Sequence, residues 1–159
     1  MEILLSAAAA KALSPQLAGI DNITTVLFQD DGTLTRNGET VTRDEIAPKA
    51  TWLSLDVLLS KRVFDFVELL MALPSLEWLQ SSAAGFDHPL FAELAKKGIR
   101  LTNSDAQAVA IAEYIMGAVL TEFQKVEERR KHQQNKEWQS AYFREIAGTT
   151  WMIVGIGNI

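Results

Sequence analysis

Apolar residues in this chain come in short runs set between helical stripes. Residues 1–6 (MEILLS), 24–28 (TTVLF), 51–55 (TWLSL), 76–81 (LEWLQS) and 99–102 (IRLT) read as strands. Between them, residues 7–17 hold strong helix formers with Pro15 near the end, and residues 42–46 suit a short helix stopped before Pro48. Ser60 is placed to cap a helix over 61–73, where Val63, Phe66, Val67 and Leu70 share one face and Pro74 ends the run. A further helix spans 89–97, and Gly98 closes it. A long helix starts near Asp105, with Ala112, Ile115, Met116, Val119, Leu120 and Phe123 as its expected buried stripe. From Gln124 charge replaces that stripe, as at a solvated helix end, and 133–140 reads as a polar linker. Asp30-Asp31-Gly32 and Asn37-Gly38 are turn signals around an exposed loop or a small hairpin. Alternation of this kind predicts an α/β fold: five parallel strands with helices on both faces, and ligands at the strands' carboxyl ends.

Composition narrows the class. The 159 residues suffice for one domain, or one domain and the start of another, and at 48% hydrophobic they can fill a core. A formal charge of −5 offers no basic surface for nucleic acid. The absence of cysteine excludes a disulfide framework, a thiolate metal site and a cysteine nucleophile, and it fits a cytoplasmic location. The opening run lacks a basic flank, carries Glu2 and is interrupted by Ser6, so it reads as strand and helix, not as a signal peptide. No apolar run reaches the ~20 residues of a membrane span.

Three stretches bear on chemistry. Trp151 to Val154 is an apolar run followed by Gly155 and Gly157. A strand leading into G-x-G opens a dinucleotide-binding unit, and it is equally the form of a strand with a glycine turn. We expect residues 150–154 to stay out of the first sheet, and the chain to be the front part of a longer protein. The loop Ser81-Ser82-Ala83-Ala84-Gly85-Phe86-Asp87 is made of small residues, which let main-chain N–H groups approach a carboxylate; the other reading is a tight turn with Asp87 as helix cap. Gln29-Asp30-Asp31-Gly32-Thr33-Leu34 nearly spells the D-x-D-G-T-L phosphatase motif of the haloacid dehalogenase-like family. Gln29 stands where the nucleophilic carboxylate belongs, so the segment reads as a polar turn. His88 is expected at a helix start, and His132 in the charged helix end.

Taken in order, Leu76 to Ser81, Ala84-Gly85-Phe86-Asp87, Gly98 to Asn103, Ile111-Ala112-Glu113-Tyr114, Arg144 to Gly148 and Val154 to Ile159 resemble the front half of the NAD(P)-dependent D-2-hydroxyacid dehydrogenases. The resemblance covers residues 76–159; the earlier part matches only in its strand–helix rhythm. It implies a flavodoxin-like substrate domain over 1–104, an inter-domain helix and linker over 105–140, and the start of an NAD- or NADP-binding Rossmann domain over 141–159. It further implies that amides of Ala84 and Gly85 hold the substrate carboxylate, that Ala84 lies beside the nicotinamide, and that Gly155, Gly157, Asn158 and Ile159 hold the pyrophosphate. The family's catalytic Arg, Glu and His match no position here, so the chain alone is expected to be inactive and to bind NAD weakly. Gln107 has two readings: a polar contact to substrate, or the closing residue of a Ser104-x-x-Gln107 capping box. The implied whole is a cytoplasmic, homodimeric oxidoreductase of small D-2-hydroxy or 2-keto acids. The alternative is a non-enzymatic flavodoxin-like interaction module.

Overall fold

The computed structural model describes residues 1–140, 142–155 and 157. Its contacts divide into two compact units, Met1–Ser104 and Asp105–Ile159.

The first unit is a single sheet. Strands β1 (Glu2–Ser6), β2 (Thr24–Phe28), β5 (Ala50–Leu53), β6 (Trp78–Ser81) and β7 (Arg100–Thr102) are the five expected parallel strands. Two more join antiparallel at one edge, β3 (Leu34–Arg36) and β4 (Glu39–Val41), giving the order β4-β3-β2-β1-β5-β6-β7. The expected five-stranded sheet is therefore seven-stranded and mixed. The cause is the Asn37-Gly38 turn, where φ is 54° and 85° and Arg36 pairs with Glu39. Two consecutive positive φ angles give a hairpin turn whose twist matches its strands. At the preceding turn Gly32 has φ 89°, and Asp31 accepts hydrogen bonds from the Thr33 amide at 2.9 Å and hydroxyl at 2.7 Å. Those two bonds hold the Asp31 carboxyl below the ordinary aspartate range. The near-match to a phosphatase motif is thus a polar turn.

Parallel strands bury both faces, and they need covering helices. Phe66 and Leu70 of α4 (Val63–Ala72) and Phe91 and Leu94 of α5 (Pro89–Lys96) pack with Leu4, Val26, Leu53 and Leu79 in one cluster. Phe66 meets Phe28 edge to face at 5.1 Å between ring centroids. On the amino side α1 (Ala7–Ala12) follows β1 directly; Ser6 caps it by accepting from the Ala9 amide at 3.0 Å. The expected helix over 7–17 breaks at Leu13, and Ser14–Leu17 forms a separate turn, α2. A one-turn helix not foreseen, α3 (Leu55–Leu58), follows β5 and takes Leu55 out of the strand. Ser60 closes α3 by donating to the Val57 carbonyl and accepts from the Arg62 amide, so α4 starts at Val63 and not at Lys61.

In the second unit α6 (Ala108–Phe123) and α7 (Val126–Gln134) replace the one long helix expected from Asp105. Lys125, left-handed at φ 50°, separates them. The stripe expected to be buried is open: Ile115, Met116 and Leu120 are 43–46% exposed. Periodicity defines a stripe, but only an opposing surface buries it. Residues 151–155 form no strand, and Met152 and Val154 are at least 90% exposed. A strand is held by partner strands, and the described residues of this unit form none. They do stay out of the first sheet, as expected.

Two outcomes follow from this packing. Phe66→Ala should destabilise the first unit by about 3–5 kcal/mol, measured by urea unfolding. Because the folded Asp31 carboxyl is depressed, its contribution is fully present above the unfolded pKa and is lost as pH falls through the lower folded value. An Asp31→Asn variant should therefore lose less stability than the parent on acidification below about pH 4.

Candidate functional site

The parallel strands all point their carboxyl ends at one edge of the sheet, and the small-residue loop leaves β6 there. Its first residue, Ser81, is fully buried, and the Ser81 hydroxyl accepts from the Ala83 amide at 3.0 Å. The Ser82 amide donates to the Leu53 carbonyl at 3.0 Å, which extends the pairing with β5 by one residue. The Trp52 indole, also on β5, donates to the Ser82 hydroxyl at 3.0 Å. From the other neighbouring strand, Asn103 just past β7 donates its side-chain amide to the Ala84 carbonyl at 2.6 Å. The far end of the loop is fixed by Phe86, whose ring packs edge to face on Phe91 of α5 at 5.0 Å. His88 then caps α5, its Nδ1 accepting from the Leu90 amide at 3.2 Å. His88 is thus the helix-start residue expected of it; the cap reading of Asp87 is overturned, because the imidazole takes that place.

Between these anchors the backbone donors are unspent. Among the described residues, the amides from Ala84 to Asp87 have no hydrogen-bond partner, and Ala84 and Gly85 are exposed. Backbone donors in folded proteins are paired with protein, water or ligand. A solvent-facing run of donors on an anchored loop is therefore a place where an anion can replace water. Gly85 does not have a left-handed φ, so conformation is not why glycine stands here. A Cβ at Gly85 would lie 3.0 Å from Asp87 Oδ2, the tip of an exposed side chain that can swing aside. The Asp87 carboxylate beside this loop also opposes any bound anion.

The remaining predicted residues belong to the second unit. Gln107 is exposed and sits at the cap position of α6 with helical dihedrals, and its side chain makes no cap bond. The Ala108 amide donates to the Asp105 carbonyl at 2.8 Å, and α6 begins at Ala108, three residues later than the helix expected from Asp105. Gly155 has φ 96°, and a Cβ at Gly155 or Gly157 would meet nothing within 4 Å. Asn158 and Ile159 lie outside the described residues. Among the described residues no helix is long and apolar enough to cross a membrane, and no group of three His, Asp or Glu is placed to hold a metal ion. Sequence reasoning missed the two braces, Trp52 and Asn103. The available signal was position: Trp52 lies on β5 and Asn103 directly follows β7, the two strands neighbouring β6, at their carboxyl ends.

Amide exchange should display this arrangement. The Ala84 and Gly85 amides should exchange at near-random-coil rates, while Ser82, bonded to Leu53, should be protected at least a hundredfold; equal protection would contradict the geometry. Replacing Asp87 by Asn should strengthen binding of a small carboxylate at the loop by about twofold to fivefold, read by titration.

Comparison with known proteins bears on the fold and on part of the sequence. No protein-family model matches the chain. It is 30% identical over 99 residues to a glyoxylate reductase of Thermofilum pendens, a match of 58% of this chain and 29% of the relative. It is 29% identical over 96 residues to a hydroxyphenylpyruvate reductase of Plectranthus scutellarioides, again 58% of this chain and 31% of the relative. The chain thus spans about three-tenths of the length of the curated relatives it matches. Among solved structures it shares its fold with a D-lactate dehydrogenase of Treponema pallidum, at TM-score 0.51 and 19% identity over 89% of this chain and 41% of that one. It likewise shares it with a D-lactate dehydrogenase of Aquifex aeolicus, solved with NAD and lactic acid, at TM-score 0.52 and 17% identity over 89% of this chain and 39% of that one. The order of motifs, the α/β sheet and the sequence matches converge: over part of its length, this chain is similar to members of the D-2-hydroxyacid dehydrogenases.

Proposed function

We propose that this chain supplies the substrate-carboxylate site of an NAD(P)-dependent oxidoreductase acting on small D-2-hydroxy or 2-keto acids. The observation that carries the reading is the pair of unpartnered amides at Ala84 and Gly85, held on a loop anchored at both ends. Two neighbouring N–H donors can serve the two oxygens of a carboxylate, and charge-assisted bonds of this kind are stronger than neutral ones. In this reading residues 1–104 are the substrate domain, 105–140 the connecting helix and linker, and 141–159 the start of the cofactor domain. The enzyme is a cytoplasmic homodimer.

The two glycines leave room for the cofactor as well. Open space at the Cβ positions of Gly155 and Gly157, and the left-handed φ of Gly155, allow a pyrophosphate to approach the backbone closely. Gly155, Gly157, Asn158 and Ile159 would hold that group, with Ala84 beside the nicotinamide. Bound there, the cofactor supplies the hydride chemistry. The residues of this chain bind and orient: Ala84 and Gly85 fix the carboxylate, and Gln107 offers a polar side chain to the substrate. Proton transfer to the substrate oxygen is assigned to none of them.

Equilibrium dialysis with labelled pyruvate, at constant ionic strength, tests the carboxylate site. The chain should bind pyruvate saturably at millimolar concentration. Gly85→Pro, which removes the Gly85 N–H donor at a position whose φ is not left-handed, should bind about tenfold more weakly, the worth of one hydrogen bond to a charged group. Equal binding by both, or none by the parent chain, would refute the reading.

A further inference from the structure

We infer that Asn103 is a positioning residue, which aims the Gly85 N–H outward by holding the opposite end of the same peptide unit. The inference rests on the reading of the loop as a carboxylate site and concerns a residue that never touches the substrate. The peptide joining Ala84 to Gly85 is planar and trans, so its carbonyl oxygen and its N–H point in opposite directions. The Asn103 side-chain amide donates to that carbonyl at 2.6 Å. Fixing the oxygen fixes the plane, and the N–H is left facing away from Asn103, where it has no protein partner among the described residues.

Without this bond the peptide is free to flip. The flipped form would turn the Ala84 carbonyl toward the anion and repel it. Few other constraints act at this point: Gly85 has no side chain to resist rotation, and Ala84 is exposed. The two anchors on either side, Trp52 to Ser82 and Phe86 to Phe91, hold neighbouring residues but not this plane. The placement of Asn103 follows from the sheet register. Gln80 pairs with Thr102, so the residue after β7 comes level with the start of the loop after β6. Thr102 is itself held, accepting from the Trp78 indole at 2.8 Å and donating to Gln80 Oε1 at 2.6 Å. Asn103 is therefore carried on a fixed support.

The test uses the full chain and two variants, Asn103→Ala and Asn103→Asp. The second keeps the shape and exchanges the donor for an acceptor. Backbone ¹⁵N relaxation and residual dipolar couplings of Gly85 are read first without ligand. The parent should show a Gly85 N–H order parameter near about 0.85, and both variants a value below about 0.6. Pyruvate titration should then show about threefold to tenfold weaker binding in both variants, with unchanged circular dichroism. Unchanged Gly85 order and orientation in both variants would overturn the inference, whatever pyruvate does. Loss of Gly85 order in the variants, in a chain whose parent form does not bind pyruvate, would support Asn103 as the holder of the plane while refuting the carboxylate reading.

Discussion

Parallel pairing is the constraint on which the rest of the first unit depends. Five strands that run the same way deliver all their carboxyl ends to one edge, and each must return by a covered crossover. Leu4, Val26, Leu53 and Leu79 meet Phe66, Leu70, Phe91 and Leu94 because those crossovers lie on the sheet. Ser6, Leu53, Ser81 and Thr102 then close their strands side by side, and the loops that follow gather at one edge. The order with β1 beside both β2 and β5 also fixes which loops are neighbours: the loop after β6 lies between the ends of β5 and β7.

That neighbourhood supplies the loop's rigidity. Trp52 reaches it from β5 and Asn103 from beyond β7, while Phe86 fastens it to α5. All three contacts leave the N–H groups of Ala84 and Gly85 unused. A flexible glycine loop would have to be ordered at the moment of binding, and that ordering costs about 1–2 kcal/mol per residue. Here the order is supplied by the sheet, and in the proposed site a carboxylate would meet donors already in place. The Asp87 carboxylate, close to Gly85, works in the opposite sense and limits how strongly any anion is held.

Much of this was legible in the amino-acid sequence. The five parallel strands, the α4 face with Phe66 and Leu70, the closure at Gly98 and the cap role of His88 all follow from local patterns that the tertiary structure does not override. Ambiguity between loop and hairpin at Asn37-Gly38 was settled by two positive φ angles, which the sequence permits but does not compel. What failed were statements about burial in the second unit. Ile115, Met116 and Leu120 have helical spacing, and 151–154 have the composition of a buried strand. Both patterns describe what a segment can bury; neither supplies the surface that buries it. The side-chain braces of the loop were invisible for a related reason: Trp52 and Asn103 are 30 and 19 residues from their partners, Ser82 and Ala84, and only the strand order brings them near.

A structure of the chain with pyruvate bound tests the central claim most directly. The account predicts both carboxylate oxygens within hydrogen-bond distance, about 2.7–3.2 Å, of the Ala84 and Gly85 nitrogens, with the Asn103 bond to the Ala84 carbonyl intact. Pyruvate seated elsewhere, with those two amides still facing water, would contradict it.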